Sequence, residues 1–528
     1  MTKTRCAIGA LSLLAIVTVF GLVSGCERKP AKSASPTATA TTEKNSFKEV
    51  TAHLDAGGDL YLYVSTEKWL DGLSQTIAGW HETVGSLPDL KGQDRENVNR
   101  IFDVATSLIK NSGVEDVSGL GLSSIAREKG FYQNRMILHH YKGKGEGYLW
   151  SLFGKSPHSL SGLDLLPTST AFATFSDFDL PLIWSVVEKE VAEAGVAEAR
   201  NGLEQAKAQF ELNTGLKWDG LMKSLGGEYG VIVTLDEKRR LTLPAGQDAT
   251  MELPEPGILV VVKVKDDLIF DRVDKILQSN QQVVRVDKSG LKMLTMPVPL
   301  PLPITVRPSI ARSGDYLFIA STDALIEQVL AVKNGKQPGL TSTAEFKKLA
   351  QGMPQQGNQF TYVSQKFGET IQTIQQQAME KKAESKPAEA ELMKKIASLS
   401  QPSYSYTVTA NTEEGWELVG NGNKGASKLV LLPAVAISGV LAGVAVPAFV
   451  KAREKAQQNG CIKNLRQIDG AKHQWALEQR KKGQDVPTWE DLKPFLSHPE
   501  KLKCTDGGTY TLNSVDEPVT CSKPGHHF

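Results

Sequence analysis

Tyr316–Leu330, YLFIASTDALIEQVL, carries the pattern from which the fold is read. The first five residues alternate bulky side chains at period two, and the spacing then changes to three and four, so the segment predicts a strand followed by an amphipathic helix. Between the two lies a Ser-Thr-Asp break, where a side-chain oxygen can accept from the first free amides of the helix. The same unit recurs at YLYVSTEKWLDGLSQTI from Tyr61, AFATFSDFDLPLIWSVV from Ala171, ILVVVKVKDDLIFDRVDKIL from Ile258 and FTYVSQKFGETIQTI from Phe360. Ser65, Ser176, Asp266, Ser321 and Ser364 stand at the N-cap positions, and Ser342–Glu345 adds a capping box.

Strand pairs lie between the units. NRMILHHYKG and YGVIVTLDEKRRLTL read as exposed strands, and SYSYTVTANTEEGWELVGNG reads as a hairpin turning at Glu413-Glu414-Gly415. SGVEDVSGLGLSSI and NTGLKWDGLMKSLGG look like counterparts, which suggests a duplication. The expectation is an α+β body of two related strand–helix halves, residues 46–210 and 211–425. Met296–Pro308 is too proline-dense for a central strand and reads as an extended edge or polyproline stretch. Gln375–Lys395 reads as an exposed helix broken near Pro387.

Behind the body comes Leu429–Val450, LVLLPAVAISGVLAGVAVPAFV, twenty-two residues without a charge. As a helix it would measure about 33 Å, enough for a hydrocarbon core of about 30 Å. Gly439–Glu478, GVLAGVAVPAFVKAREKAQQNGCIKNLRQIDGAKHQWALE, resembles the stem of bacterial type IV pilins and type II secretion pseudopilins. Aligned on Gly439 and Pro447, that resemblance puts a prepilin-type cleavage site at Gly425–Ala426, while the family's acidic residue falls on Val430 and is missing. It implies that residues 426–528 form a long apolar stem helix, which meets protein partners, and a small α+β head. LKCTDGGTYTLNSVDEPVTCS offers that head a hairpin. The order of elements from Tyr316 to Ser364 also resembles a bacterial envelope family of unassigned function, here spanning 46–425.

At the other end, Met1–Arg5 is basic and Ala7–Val23 apolar. Leu22-Val23-Ser24-Gly25-Cys26 resembles a lipoprotein box, with Cys26 as the acylated residue of a 1–26 signal. Residues 27–45 are rich in Pro, Ala, Ser and Thr and read as a disordered tether. A net charge of +1 with 23% charged residues gives no basic patch for nucleic acid.

Three cysteines, Cys461, Cys504 and Cys521, remain after Cys6 and Cys26, and all fall in the head. A Cys504–Cys521 disulfide is the preferred pairing because it would close a short loop and staple a domain with little core. A zinc site is the rival, with His498, His526 or His527 as fourth ligand, but the spacing matches no compact zinc pattern. The direction of the apolar segment leaves the side of the head open. A spanning helix would place it in a reducing cytoplasm, and a helix packed along the membrane would leave it where a disulfide forms.

Motifs for catalysis are weak. Lys142–Gly147, KGKGEG, lacks the G-x-G-x-x-G spacing of a phosphate loop, and Gly154-Lys155-Ser156 has Leu149 where a P-loop needs its first glycine. His139 and His140, adjacent on a strand, point to opposite faces. Asp266-Asp267 reads as a strand end and helix cap. The sequence therefore predicts a non-enzymatic envelope lipoprotein with a periplasmic body, no cofactor or metal, and neither nucleotide nor nucleic acid among its ligands. Its expected role is a structural or accessory part of a pilus or secretion-type assembly. The alternative is a periplasmic peptide- or lipid-binding factor, and membrane lipid is a partner in either case.

Overall fold

The computed structural model describes residues 45–85, 92–244, 250–288, 290–297, 306–385, 402–426, 458, 460–496, 502–504, 507–523 and 525–526. The strands in chain order are β1 (Leu60–Ser65), β2 (Gly119–Glu128), β3 (Phe131–His139), β4 (His158–Ser159), β5 (Thr170–Asp177), β6 (Leu225–Pro244) and β7 (Thr250–Val264). They continue as β8 (Val284–Lys288), β9 (Leu291–Thr295), β10 (Ser309–Ser313), β11 (Tyr316–Ala320), β12 (Gln356–Gly357), β13 (Gln359–Val363), β14 (Ser405–Thr412) and β15 (Gly415–Gly422). Thirteen of them form one sheet in the order β1-β2-β3-β15-β14-β13-β5-β6-β7-β11-β10-β9-β8. Every neighbouring pair is antiparallel, and β4 and β12 form a separate short ribbon.

This topology corrects the expected fold class. The body is not two strand–helix halves in succession. Hairpin β14–β15 and strand β13, from the end of the body, insert between β3 and β5, from its beginning. The physical reason is backbone satisfaction: an interior strand needs a ladder on both sides, and the late strands supply those that β3 and β5 would otherwise lack. Among the described residues no helix is long and apolar enough to cross a membrane, so the expected long apolar helix is not found among them. Leu429–Val450, with Gly439 and Pro447, lies outside the described residues, as do Cys26 and most of the proline-rich segment.

Helices cover both faces of the sheet's second half. The helices used below are α1 (Phe47–Ala52), α2 (Leu180–Glu193), α3 (Leu268–Leu277) and α4 (Asp323–Lys333). Strand β11 shows how the core divides. Tyr316, Phe318 and Ala320 share a buried cluster with Leu325, Ile326 and Val329 of α4, while Leu317 joins Phe270 of α3 and Val264 in another. Alternation along the strand thus feeds two cores. A third, smaller cluster holds Leu70, Val117 and Trp150 near the start of the sheet.

The C-terminal head has a core of its own. A helix over 460–478 packs Leu465, Ile468 and Trp475 against Leu492 and Leu512, beside the ribbon of β16 (Tyr510–Thr511) and β17 (Thr520–Cys521). Thr488 caps the short helix Trp489–Leu492 in a complete capping box with Asp491.

Candidate functional site

A cleft of about 900 Å³ opens beside β3, the size of an ordinary small-ligand site. The glycine-rich loop 142–147, the turn Tyr148–Ser151, helix α2 and the β14–β15 connection build it. Its loop is held in a conformation that only glycine tolerates, because Gly143, Gly145 and Gly147 all have positive φ. A side chain at Gly145 would meet the His140 ring at 2.3 Å, and one at Gly147 the Ser112 backbone at 2.5 Å. The Gly145 N–H donates to Asp116 Oδ2 at 3.0 Å. KGKGEG is therefore a tightly seated wall, although its spacing is not that of a phosphate loop.

The floor is aromatic and locked. Trp150 is buried, donates from Nε1 to the Gly113 carbonyl at 2.7 Å, and meets His140 edge-to-face at 4.5 Å. Asn411 reaches in from the end of β14, donating from Nδ2 to the carbonyls of Trp150 and Gly154. Leu182 and Val186 of α2 add the aliphatic side of the cleft.

Charge is divided between rim and interior. Lys142, Lys144, Lys155 and Lys189 line the opening. Lys142 lies 3.9 Å from Glu414, Lys144 3.8 Å from Asp116, and Lys189 3.9 Å from Glu193, all with exposed ammonium groups. Pairs this long and this wet are worth about 0–1 kcal/mol, so an incoming anion can compete for the lysines. Deeper, Glu190 is buried. One carboxylate oxygen accepts from Ser107 at 2.8 Å, and the other has no hydrogen-bond partner among the described residues. Burial, helped by that carboxylate, pushes the Tyr148 phenol up to about 12. A buried acceptor left open is costly unless a ligand or water completes it.

The residues singled out in the sequence are distributed as follows. His139 and His140 do point apart: His139 Nδ1 is 2.6 Å from Ser118 Oγ, while His140 packs on Trp150. Asp266 accepts from the Leu268 N–H at 3.1 Å, and Asp267 pairs with Lys292 at 2.8 Å and Arg312 at 2.9 Å, so both act in structure. Gly425–Ala426 is sequestered. Ala426 is buried, and its amide donates to Ser124 Oγ at 3.0 Å and Asn134 Oδ1 at 2.8 Å.

In the head, Cys461, Cys504 and Cys521 are free thiols in the structure, the pair expected to bridge included. The three thiols converge instead with His526. Burial and the neighbouring thiols push the Cys461 thiol up to about 12. The sequence offered the three cysteines as a zinc rival to the disulfide, with His526 as one of three alternatives for the fourth ligand. The signal that could have found the pair is Cys521-x4-His526, a compact two-ligand spacing. Glu190 and Lys189 were missed, because only the fold brings α2 to the glycine loop, while Lys142, Lys144 and Lys155 were noticed only within rejected phosphate-loop patterns.

Residues 154–414 match the model of a family described as "Protein of unknown function (DUF3352)". No curated protein and no solved structure matches the chain. The cleft straddles the start of the matched segment: Lys155, Glu190 and Asn411 lie inside it, the glycine loop and Trp150 before it.

Proposed function

We propose that this chain is a non-enzymatic, lipid-anchored envelope protein whose body binds a short acidic peptide in the lysine-rimmed cleft. The observation that carries the reading is the pairing of a cationic rim with one buried, half-satisfied carboxylate, Glu190, over an aromatic floor. Rim lysines suit acidic side chains or a terminal carboxylate, and Glu190 suits an ammonium such as a free amino terminus. The apolar part, Leu182, Val186 and Trp150, is short and fits a side chain better than an acyl chain. Anchoring through Cys26 belongs to the same proposal and rests on the lipobox sequence.

Titration of the detergent-solubilised full-length protein with an acidic peptide, its N-acetylated form and a basic counterpart tests the reading, with tryptophan fluorescence as readout. Acidic peptide is expected to bind most tightly and to weaken with salt. Replacing Lys155 and Lys189 together by Gln should cost about tenfold, from roughly 0.7 kcal/mol for each rim contact. Glu190→Gln should erase the preference for a free amino terminus. Equal binding of acidic and basic peptides would end the proposal.

A second reading, an accessory part in a pilus or secretion-type assembly, is supported by the head, whose helix and ribbon close around their own core. Cross-linking in the native envelope separates the two by what is captured: a filament subunit, or a peptide seated against loop 142–147.

A further inference from the structure

We propose that the head binds one zinc ion through Cys461, Cys504, Cys521 and His526, as a closed four-ligand structural site. The four residues come from three separate places: the helix over 460–478, the segments flanking the ribbon, and strand β17 itself. Their ligand atoms nevertheless all lie within 4.8 Å of one another. Zinc–sulfur bonds of about 2.3 Å and zinc–nitrogen bonds of about 2.0 Å, arranged tetrahedrally, place ligand atoms roughly 3.5–3.8 Å apart. Cys504 Sγ and His526 Nδ1 stand at 3.5 Å. The cluster needs a contraction of about 1 Å at most, and no change of partners.

Two further observations point to a ligand. Cys461, Cys504 and His526 are buried, in a head whose apolar core is small, and small domains commonly rely on a metal or a disulfide for stability. One disulfide would use only two of the three sulfurs and leave the imidazole without a role. The backbone also makes room for the sulfurs: a side chain at Gly508 would meet Cys521 Sγ at 2.8 Å and Cys504 Sγ at 3.2 Å, and Gly507 before it has φ of +74°. Around the cluster, Asn464 Nδ2 donates to the Lys503 carbonyl at 3.0 Å and lies 3.2 Å from the Tyr510 hydroxyl, tying the helix to both flanks of the site. Binding releases three thiol protons to solvent, leaves His526 neutral, and gives a zinc tris-thiolate of net charge −1.

The test uses the full chain extracted without chelator. Elemental analysis should find one zinc per chain, and thiol titration should find Cys461, Cys504 and Cys521 protected until a chelator is added. Cobalt substitution should give the thiolate charge-transfer and visible bands of a tetrahedral site. His526→Cys should keep the metal and strengthen the charge-transfer band, whereas Cys504→Ser should lose it. Since Cys504→Ser could also unfold the head, the conservative His526→Cys variant decides the ligand set. A Cys504–Cys521-linked peptide pair in the unreduced wild type, metal far below one per chain, or zinc loss in His526→Cys would overturn the assignment.

Discussion

At the residue scale, the side chain that most directly couples two parts of the body is His53, at the end of α1. Its Nε2 lies 3.3 Å from Glu414 and its Nδ1 3.2 Å from Glu417, so one imidazole joins the turn of the β14–β15 hairpin to the start of β15. The hydrogen bond that His53 donates to Glu417 is the main reason that His53 titrates above its usual 6.5, and the same contact holds the Glu417 carboxyl below its ordinary value. The stability His53 contributes is therefore complete below about pH 6.5 and is lost as pH rises through its raised folded value. Glu417 contributes above the ordinary carboxylate range and loses its contribution only as pH falls through its depressed value. Thermal melts between pH 5 and 9 should show the wild type losing stability on the alkaline side of pH 6.5, with His53→Gln flatter over the same interval. Parallel curves for the two proteins would show that the bridge does not matter. None of this was legible beforehand, because Glu414 and Glu417 reach His53 only after more than three hundred residues of intervening chain have folded.

Elements were read more faithfully than residues. Tyr316–Leu330 forms β11 and α4, as its change of period predicts. Capping positions were located to within a residue or three. Ser364 accepts from the Phe367 N–H, as expected, but the N-cap positions are Asp267 in place of Asp266, Thr322 in place of Ser321 and Asp179 in place of Ser176. Neighbouring hydroxyls and carboxylates are near-equivalent acceptors, and tertiary contact chooses between them; Ser321 Oγ instead accepts from the Ile258 N–H at 3.1 Å. The helix's hold on the sheet is a packing matter. Ile326 is fully buried among Phe318, Leu325 and Val329. Ile326→Ala should lower unfolding free energy by about 3 kcal/mol, checked by denaturant titration. A loss below about 1 kcal/mol would mean that α4 is not a fixed part of the core.

Over the whole molecule, the alternation of each strand was visible while its neighbours were not. Periodicity says which face of a strand is buried, and says nothing of which distant strand completes its ladder. That is why two successive halves were expected where the sheet interleaves the first and last strands of the body, and why four zinc-competent side chains were scattered in one dimension and gathered in three. Interleaving has a direct test. A chain ending at residue 210 would keep β3 and β5 with open edges and should aggregate, whereas one ending at Ala426 should sediment as a folded monomer with sheet circular dichroism. A soluble, sheet-rich fragment ending at residue 210 would mean that the late strands are not needed to complete the fold. The tie at Ala426 has a mechanical corollary. Ser46, where the described body begins, donates from its hydroxyl to the carbonyl of Ser118, just before β2, and Ala426 is clasped by Ser124, on that same strand. Because Asn134 of β3 also holds Ala426, tension arriving from either side is delivered to the interior pair β2–β3 and loads its ladder. A cargo and an anchor hung from these two points would be joined through a stiff link that leaves the rest of the sheet unstrained.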